Sequence, residues 1–356
     1  MWRRAKPQAN SIIKRRGEAR LRGPRVCTEP LSPCGDGSVA RIFGFASCRR
    51  TAEAVGVVNV SDLSPGSRLR EAVVDTTIQV PGAFNALSAR LVQQTGYDAV
   101  YLSGAAFSAG ALAMPDVGLF TLTELVEQTA RLARSVTIPL IVDADTGFGE
   151  AIHVERTVRE LESAGAAAIQ MEDQRWPKRC GHLSGKTLIE PAEMCAKLRA
   201  AAAARQDPDL VLIARTDARG VTALDDAIYR SQAYLAAGAD WIFPEALADR
   251  EEFGRFAEEV DAPLVANMTE FGKSPLLTLE ELADLGYAVV LYPVTMLRVA
   301  MKAVEAALAV LADEGTQSSL LDLMQTREEL YDLLEYSDYE KRDRHYFGGE
   351  TPPPRN

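Results

Sequence analysis

Leu140-Ile141-Val142-Asp143-Ala144-Asp145-Thr146-Gly147-Phe148-Gly149 is a short apolar run that closes on two carboxylates and breaks into a glycine turn. Unbroken apolarity over a few residues marks a strand buried on both faces, the habit of parallel sheets. The same grammar recurs outward in both directions. Strands are expected at Thr77–Pro81, Ala99–Ser103, Leu140–Asp143, Ala168–Glu172, Val211–Arg215, Trp241–Pro244, Leu264–Asn267 and Ala288–Tyr292. Helix-length stretches separate them. In one, Leu122, Leu125, Val126, Thr129, Leu132 and Ala133 form a single apolar stripe at helical spacing. Ala164-Gly165 and Ala237-Gly238 supply the small turns that return a helix to the sheet.

Eight such units over roughly 240 residues have the size and rhythm of a TIM-type (β/α)8 barrel. A doubly wound open sheet is the competing architecture, but no GxGxxG follows the first strand. Polar residues also stand at nearly every strand's C-terminal end: Ser103, Asp143 and Asp145, Glu172, Arg215, Glu245 and Asn267. A barrel gathers those ends around one axis, whereas an open sheet spreads them along an edge. The expected α/β organisation is a catalytic barrel over residues 61–311 and a helical extension over 312–356. After the eighth unit, helices are expected at Met301–Asp313 and Leu320–Leu334, with a charged tail at Asp338–Arg344.

The segment before the barrel is different. Its first 25 residues carry nine Lys or Arg against one acid, Glu18. No apolar core follows, so it is not a secretory signal. A leader translated from upstream of the natural start, an organelle-targeting presequence and a basic tail all fit. Residues 1–60 are expected to be poorly ordered and outside the catalytic domain. The location is read as cytoplasmic, or mitochondrial if the segment is a genuine presequence. Five cysteines, Cys27, Cys34, Cys48, Cys180 and Cys195, show no metal-binding or disulfide spacing, which points to a reducing compartment. A net charge of −11 argues against a nucleic-acid partner. No run approaches the ~20 apolar residues of a membrane span, so no membrane partner is expected.

Three constellations carry chemistry. Asp143 and Asp145, two residues apart before a flexible turn, suit a hard divalent cation with oxygen ligands. A solvated strand-to-helix turn is the bland alternative. Glu172-Asp173-Gln174 closes another apolar strand, where Glu172 is read as a metal-side or orienting acid, or simply an exposed one. Lys178-Arg179-Cys180-Gly181-His182 embeds a thiol among cations and an imidazole, the setting of a thiol with a lowered pKa. Such a thiol does acid–base work, and Gly181 and Gly185 would let its segment move. Cys195, on a helical stretch, is read as packing. Arg215, Glu245, Asn267, Thr269 and Arg298 stand at or after later strand ends. Arg327 lies past the barrel and needs its helix to fold back over the mouth.

In this order the residues resemble the isocitrate lyase and phosphoenolpyruvate mutase superfamily, from about Gln79 to Tyr339. KRCGH at 178–182, following VDADTGFG at 142–149 and MEDQ at 171–174, is the most specific part. The superfamily's mutases lack that cysteine, so a lyase is implied. The fragments YLSG at 101–104, ARTDA at 214–218, FPEA at 243–246, NMTEFG at 267–272 and MQTR at 324–327 are most similar to its 2-methylisocitrate lyases. Those enzymes perform retro-aldol cleavage to pyruvate and succinate with Mg²⁺, for which Mn²⁺ is a possible substitute.

What the resemblance implies is carried over by motif. Asp143 and Asp145 would be the metal carboxylates, with Asp116 and Glu172 nearby. Ser103, Gly104 and Ala105 would hold substrate; Ala105 departs from the family's usual glycine. Cys180 would be the catalytic acid, with Gly181 beside it and His182 and Glu172 tuning it. Arg215, Glu245, Asn267, Thr269, Arg298 and Arg327 would bind the carboxylates and hydroxyl of a small tricarboxylate. Tyr101 or a metal-bound water is the candidate base for the hydroxyl proton. A homotetramer with exchanged C-terminal helices is also implied. Sister lyases of substituted malates, oxaloacetate hydrolases, isocitrate lyase and a non-catalytic binding barrel are the rival readings.

Overall fold

A computed structural model describes residues 63–181 and 185–348. The expectations for residues 1–60 and for His182 lie outside the described residues. The order of elements is α1 (Pro65–Ala72), β1 (Ile78–Pro81), α2 (Ala86–Gln94), β2 (Val100–Leu102), α3 (Gly104–Leu112), α4 (Leu122–Ala133), β3 (Leu140–Asp143), α5 (Ala151–Ser163), β4 (Ala168–Glu172), α6 (Pro191–Ala204), β5 (Val211–Thr216), α7 (Leu224–Ala236), β6 (Trp241–Pro244), α8 (Arg250–Glu259), β7 (Val265–Asn267), α9 (Leu279–Asp284), β8 (Val289–Tyr292), α10 (Thr295–Glu314), α11 (Arg327–Leu333) and α12 (Tyr336–Gly348). Helix starts follow local chemistry. Thr121 with Glu124 and Thr278 with Glu281 form reciprocal capping boxes at α4 and α9, satisfying donors that have no partner within the helix.

All strand pairings are parallel. One ladder runs β2-β3-β4-β5-β6 and another β1-β8-β7. Bridges between Gly82 and Tyr101 and between Ile242 and Leu264 join the two ladders, which closes the barrel and confirms the expected fold. Register then fixes the site. Asp143 lies beside Gln170, and Glu172 beside Arg215.

Alternation along each strand divides the core in two. Ile78, Val80, Ile141, Val211, Ile213, Val265 and Val289 belong to one cluster, with Trp241 and Phe243. Their neighbours Leu140, Val142, Leu212 and Val290 belong to a second cluster shared with the helices. Because successive side chains point to opposite faces, the first cluster is the barrel interior. Leu69 of α1 joins it and is completely buried, so α1 plugs the barrel.

The C-terminal elements differ in detail from the expectation. The helix foreseen at Met301–Asp313 begins at Thr295, directly after β8, and is the eighth unit's own helix. The stretch foreseen as one helix at Leu320–Leu334 is a 3-10 helix at Ser318–Leu323 followed by α11. Thr326 interrupts it: its hydroxyl accepts from the Glu329 N–H as an N-cap, starting a new helix there. Replacing Leu69 with Ala should lower unfolding free energy by about 2–5 kcal/mol. Chemical denaturation measures it, and a loss below about 1 kcal/mol would remove the plug from the account.

Candidate active site

The strand ends deliver one cavity. Tyr101, Ser103, Ala105, Asp116, Asp143, Glu172, Cys180, Gly181, Arg215, Glu245, Asn267, Thr269 and Arg298 all line it, joined by Lys178, Arg179 and Phe243. The structure thus brings together nearly all the residues singled out from the sequence. Gly104 and Asp145 lie immediately behind the lining and touch it. Arg327 does not line the cavity. It is exposed at the start of α11, and that helix is tied to α2 by Arg90 donating to the Leu333 carbonyl at 2.9 Å. Within one chain the expected fold-back over the mouth does not occur, because α11 is held against an outer helix.

Glycine permits the first close approach. The Gly104 N–H donates to Asp143 Oδ2 at 3.0 Å. A Cβ at 104 would stand 3.0 Å from Asp145 Oδ1 and 3.2 Å from Asp143 Oδ2. The start of α3 therefore reaches the carboxylates only without a side chain, and its N-terminal dipole favours negative charge there. Asp145 turns the chain at φ +48°, a left-handed conformation that Asp tolerates better than most residues.

Gly181 makes the second approach. A Cβ there would fall 2.3 Å from Arg215 Nη2 and 2.5 Å from Glu245 Cδ, so the segment bearing Cys180 rests its backbone on that ion pair. Gln174 fixes the same segment by donating to the Arg179 carbonyl at 2.8 Å and accepting its N–H at 2.9 Å. Cys180 is a half-buried thiol.

Arg215 is the buried cation at the centre. Its Nε lies 3.3 Å from Glu172 Oε2 and 3.0 Å from Asp217 Oδ2; its Nη2 lies 3.1 Å from Asp217 Oδ1 and 3.2 Å from Glu245 Oε2. The guanidinium stacks 5.2 Å from the Phe243 ring centroid, a favourable cation–π distance. Asn267 donates to Glu245 Oε2 at 3.2 Å, and Thr269 donates to Asn267 Oδ1 at 2.7 Å. Arg298 sits at the rim, donating to the Glu270 carbonyl at 2.7 Å.

Lys178 corrects an expectation. From the sequence it flanks the thiol; in the structure its ammonium is engaged by Asp145, at 2.7 Å, and by Asp116. Tyr101 corrects another. Its hydroxyl donates to Gln170 Oε1 at 2.6 Å, and Gln170 Nε2 donates to Asp143 Oδ1 at 3.1 Å. Burial, then the nearby Asp143 charge, pushes the phenol well above its ordinary range. At neutral pH Tyr101 is therefore a donor and not the base.

Six carboxylates (Asp116, Asp143, Asp145, Glu172, Asp217 and Glu245) meet three buried cations, Lys178, Lys186 and Arg215. The excess shows in the titration. Burial raises Asp145 to about 7 against the pull of Lys178, and burial likewise raises Glu172 well above the carboxylate range against Arg215. Among the described residues, Asp145 Oδ2 and Glu172 Oε1 are buried without a hydrogen-bond partner. Unpaired buried oxygens beside surplus negative charge fit a hard divalent cation. Among the described residues no three acids surround a single point, but Mg²⁺ keeps several waters and needs only one or two carboxylates.

Sequence reasoning gave no role to Gln170, Lys186 or Asp217. Gln170 carried a visible signal, being polar inside an apolar strand two residues from Glu172 and so on the same face.

Comparison with known proteins agrees with this geometry. The phosphoenolpyruvate phosphomutase family model matches residues 69–312. The chain is 55% identical to 2-methylisocitrate lyase of Aeropyrum pernix over 280 residues, covering 78% of this chain and 90% of that one. It is 45% identical to that of Escherichia coli over 281 residues, covering 78% and 95%. Among solved structures, 2,3-dimethylmalate lyase superposes with a TM-score of 0.75 at 32% identity, covering 82% of this chain and 99% of that one. A phosphonopyruvate hydrolase in complex with oxalate and Mg²⁺ gives 0.72 at 31%, covering 80% and 100%. The chain is a carbon–carbon lyase that belongs to the 2-methylisocitrate lyase family, within the isocitrate lyase and phosphoenolpyruvate mutase superfamily.

Proposed function

We propose that the protein cleaves 2-methylisocitrate to pyruvate and succinate, using Mg²⁺, with Mn²⁺ able to replace it. The observation that carries this reading is the convergence of Cys180, Arg215 and a surplus of buried carboxylates on one barrel mouth. Asp143 and Asp145 would hold the ion, with Asp116 and Glu172 beside them. When bound, such an ion polarises a hydroxyl and its neighbouring carboxylate and favours the ketone that forms.

The chain's own groups do the rest. Among the described residues the contacts of Arg215 use Nε and Nη2, and Nη1 is the arm for a substrate carboxylate. Asn267, Thr269 and Arg298 receive a second carboxylate, and Ser103, Gly104 and Ala105 bound the end nearest the acids. Glu172, whose Oε1 has no hydrogen-bond partner among the described residues, takes the hydroxyl proton in its ionised form. The carbon–carbon bond then breaks, leaving its electron pair on the succinate carbon. Cys180 protonates that carbon, and the Arg215 charge stabilises the carbanion meanwhile. His182 and Glu172 set the thiol's proton affinity. Tyr101 holds Gln170, and through it Asp143, in place.

We also infer a homotetramer with exchanged C-terminal helices. In α10 only Leu297 is buried. Met301, Val304, Leu308 and Leu311 are all exposed, although their spacing of three and four residues puts them on one face. Exchange between subunits would cover that face.

Exhaustive EDTA treatment should abolish pyruvate release from 2-methylisocitrate, and Mg²⁺ should restore it. Isocitrate and 2,3-dimethylmalate should turn over far more slowly, and faster cleavage of either would reassign the substrate. In Cys180→Ser the kcat should drop by roughly 10²–10⁴, the weight of one positioned acid, with KM little changed; a near-normal kcat would refute the role of Cys180. Light scattering should return four times the chain mass, and Leu308→Glu should reduce it. A monomeric parent protein contradicts the exchange.

A further inference from the structure

Asp217 lies two residues beyond Arg215 and has no exposed surface. Both of its oxygens are engaged. Oδ2 accepts from Arg215 Nε at 3.0 Å, and Oδ1 accepts from Arg215 Nη2 at 3.1 Å, a two-pronged grip of the kind a guanidinium plane favours. Oδ1 also accepts from Lys186 Nζ at 2.5 Å. The same ammonium donates to the carbonyl of Gly181, the residue after Cys180.

Asp217 is itself fixed from behind. Its N–H donates to Asp173 Oδ1 at 2.9 Å. Asp173 Oδ2 accepts from Thr216 Oγ1 and from the Tyr234 hydroxyl, each at 2.8 Å. These groups sit behind the cavity and do not line it.

We propose that Asp217 is a positioning residue that sets both walls of the active site at once, Arg215 directly and the Cys180 segment through Lys186. The proposal rests on the lyase reading given above. Its physical basis is that one buried carboxylate bonds two cations. One cation faces the reacting molecule, and the other holds the backbone next to the acid. The close approach at Gly181 couples the two walls, since the Gly181 backbone lies on Arg215. A shift of Asp217 therefore moves both, and misplacement by about 1 Å is enough to cost ~10²-fold in rate.

Two variants separate the arms. Lys186→Met cuts the link to Gly181 and leaves the Asp217–Arg215 grip. Its kcat should fall about 10- to 100-fold with KM within about threefold, since substrate carboxylate binding is kept. Asp217→Asn weakens both arms, so kcat should fall and KM should rise together. Lys186→Arg, which keeps the charge and donors, should recover part of the kcat.

The deciding readout is independent of turnover. Iodoacetamide alkylation is followed by peptide mapping with Mg²⁺ and succinate present, using Cys195 as an internal reference. Cys180 should react several-fold faster in Lys186→Met than in the parent, with Cys195 unchanged. Equal acceleration at both cysteines means general loosening and overturns the proposal, as does an unchanged Cys180 rate or a parental kcat. Should Lys186→Met not fold, Lys186→Gln is judged by the same criteria. A parent protein that leaves 2-methylisocitrate intact strikes the lyase reading alone, because the alkylation comparison still decides the role of Asp217.

Discussion

The site depends on one buried guanidinium. Arg215 touches Glu172 from β4, Asp217 just past its own strand and Glu245 just past β6. Without it, three carboxylates from neighbouring strand ends would face each other in a medium of low dielectric, where like charges repel strongly. Arg suits the position better than Lys would. It stays charged when buried, and its planar fork meets several oxygens while its face stacks on an aromatic ring. The surrounding acids raise its pKa further, despite burial, which opposes the charge. The backbone of the Cys180 segment is then laid on top of this ion cluster at Gly181.

Charge balance explains why the neighbouring cluster is poised for chemistry and not for stability. Buried ion pairs contribute little to stability once desolvation is counted, while an unmatched buried charge costs several kcal/mol. Lys178 neutralises part of the Asp116–Asp145 charge, yet Asp145 and Glu172 remain raised in pKa and keep oxygens without partners. A fold selected for stability alone would pair or remove these groups. Perturbed carboxylates at the end of barrel strands, where TIM barrels place their chemistry, are instead the mark of a site that binds a cation or moves protons.

Much of this was legible in the sequence, and the reason is local. A strand buried on both faces writes itself as an apolar run, so three of the expected strands, Leu140–Asp143, Ala168–Glu172 and Trp241–Pro244, match the observed bounds at both ends, and the other five differ by one residue at one or both ends. The polar residue that ends each run stands next to it in the chain, so Asp143, Glu172 and Arg215 could be placed around the mouth before any coordinates. What failed was partner choice. Lys178 sits two residues from Cys180 but bonds Asp116, 62 positions away. Asp217 was visible within ARTDA, yet its link to Lys186 spans 31 positions, and nothing local announces it. From the sequence, Tyr101 reads as a candidate base for the hydroxyl proton. Its burial among acids, a tertiary property, holds the proton on. Arg327 was placed by motif alone, and the capping of α11 by Thr326 with its anchoring to α2 decides its position in the single chain.

The barrel's alternation also explains how an apolar interior can support so much charge. Tyr101 and Phe243 belong to the interior cluster and also line the cavity. Each presents an apolar body downward, and at the top Tyr101 offers its hydroxyl to Gln170 while Phe243 offers its ring to Arg215. They form the boundary layer. The interior cluster is otherwise aliphatic apart from Trp241, and the cavity lining is mostly polar, with Ala105, Leu291, Pro293 and Val294 among it. Because successive strand residues point to opposite faces, Gln170 and Glu172 of one strand both face inward at different heights. Gln170 takes the Tyr101 hydroxyl and reaches Asp143, and Glu172 meets Arg215 one level higher. The polar floor of the site is thus set by strand register, and a one-residue slip would exchange Glu172 for Met171 and place a thioether against the guanidinium.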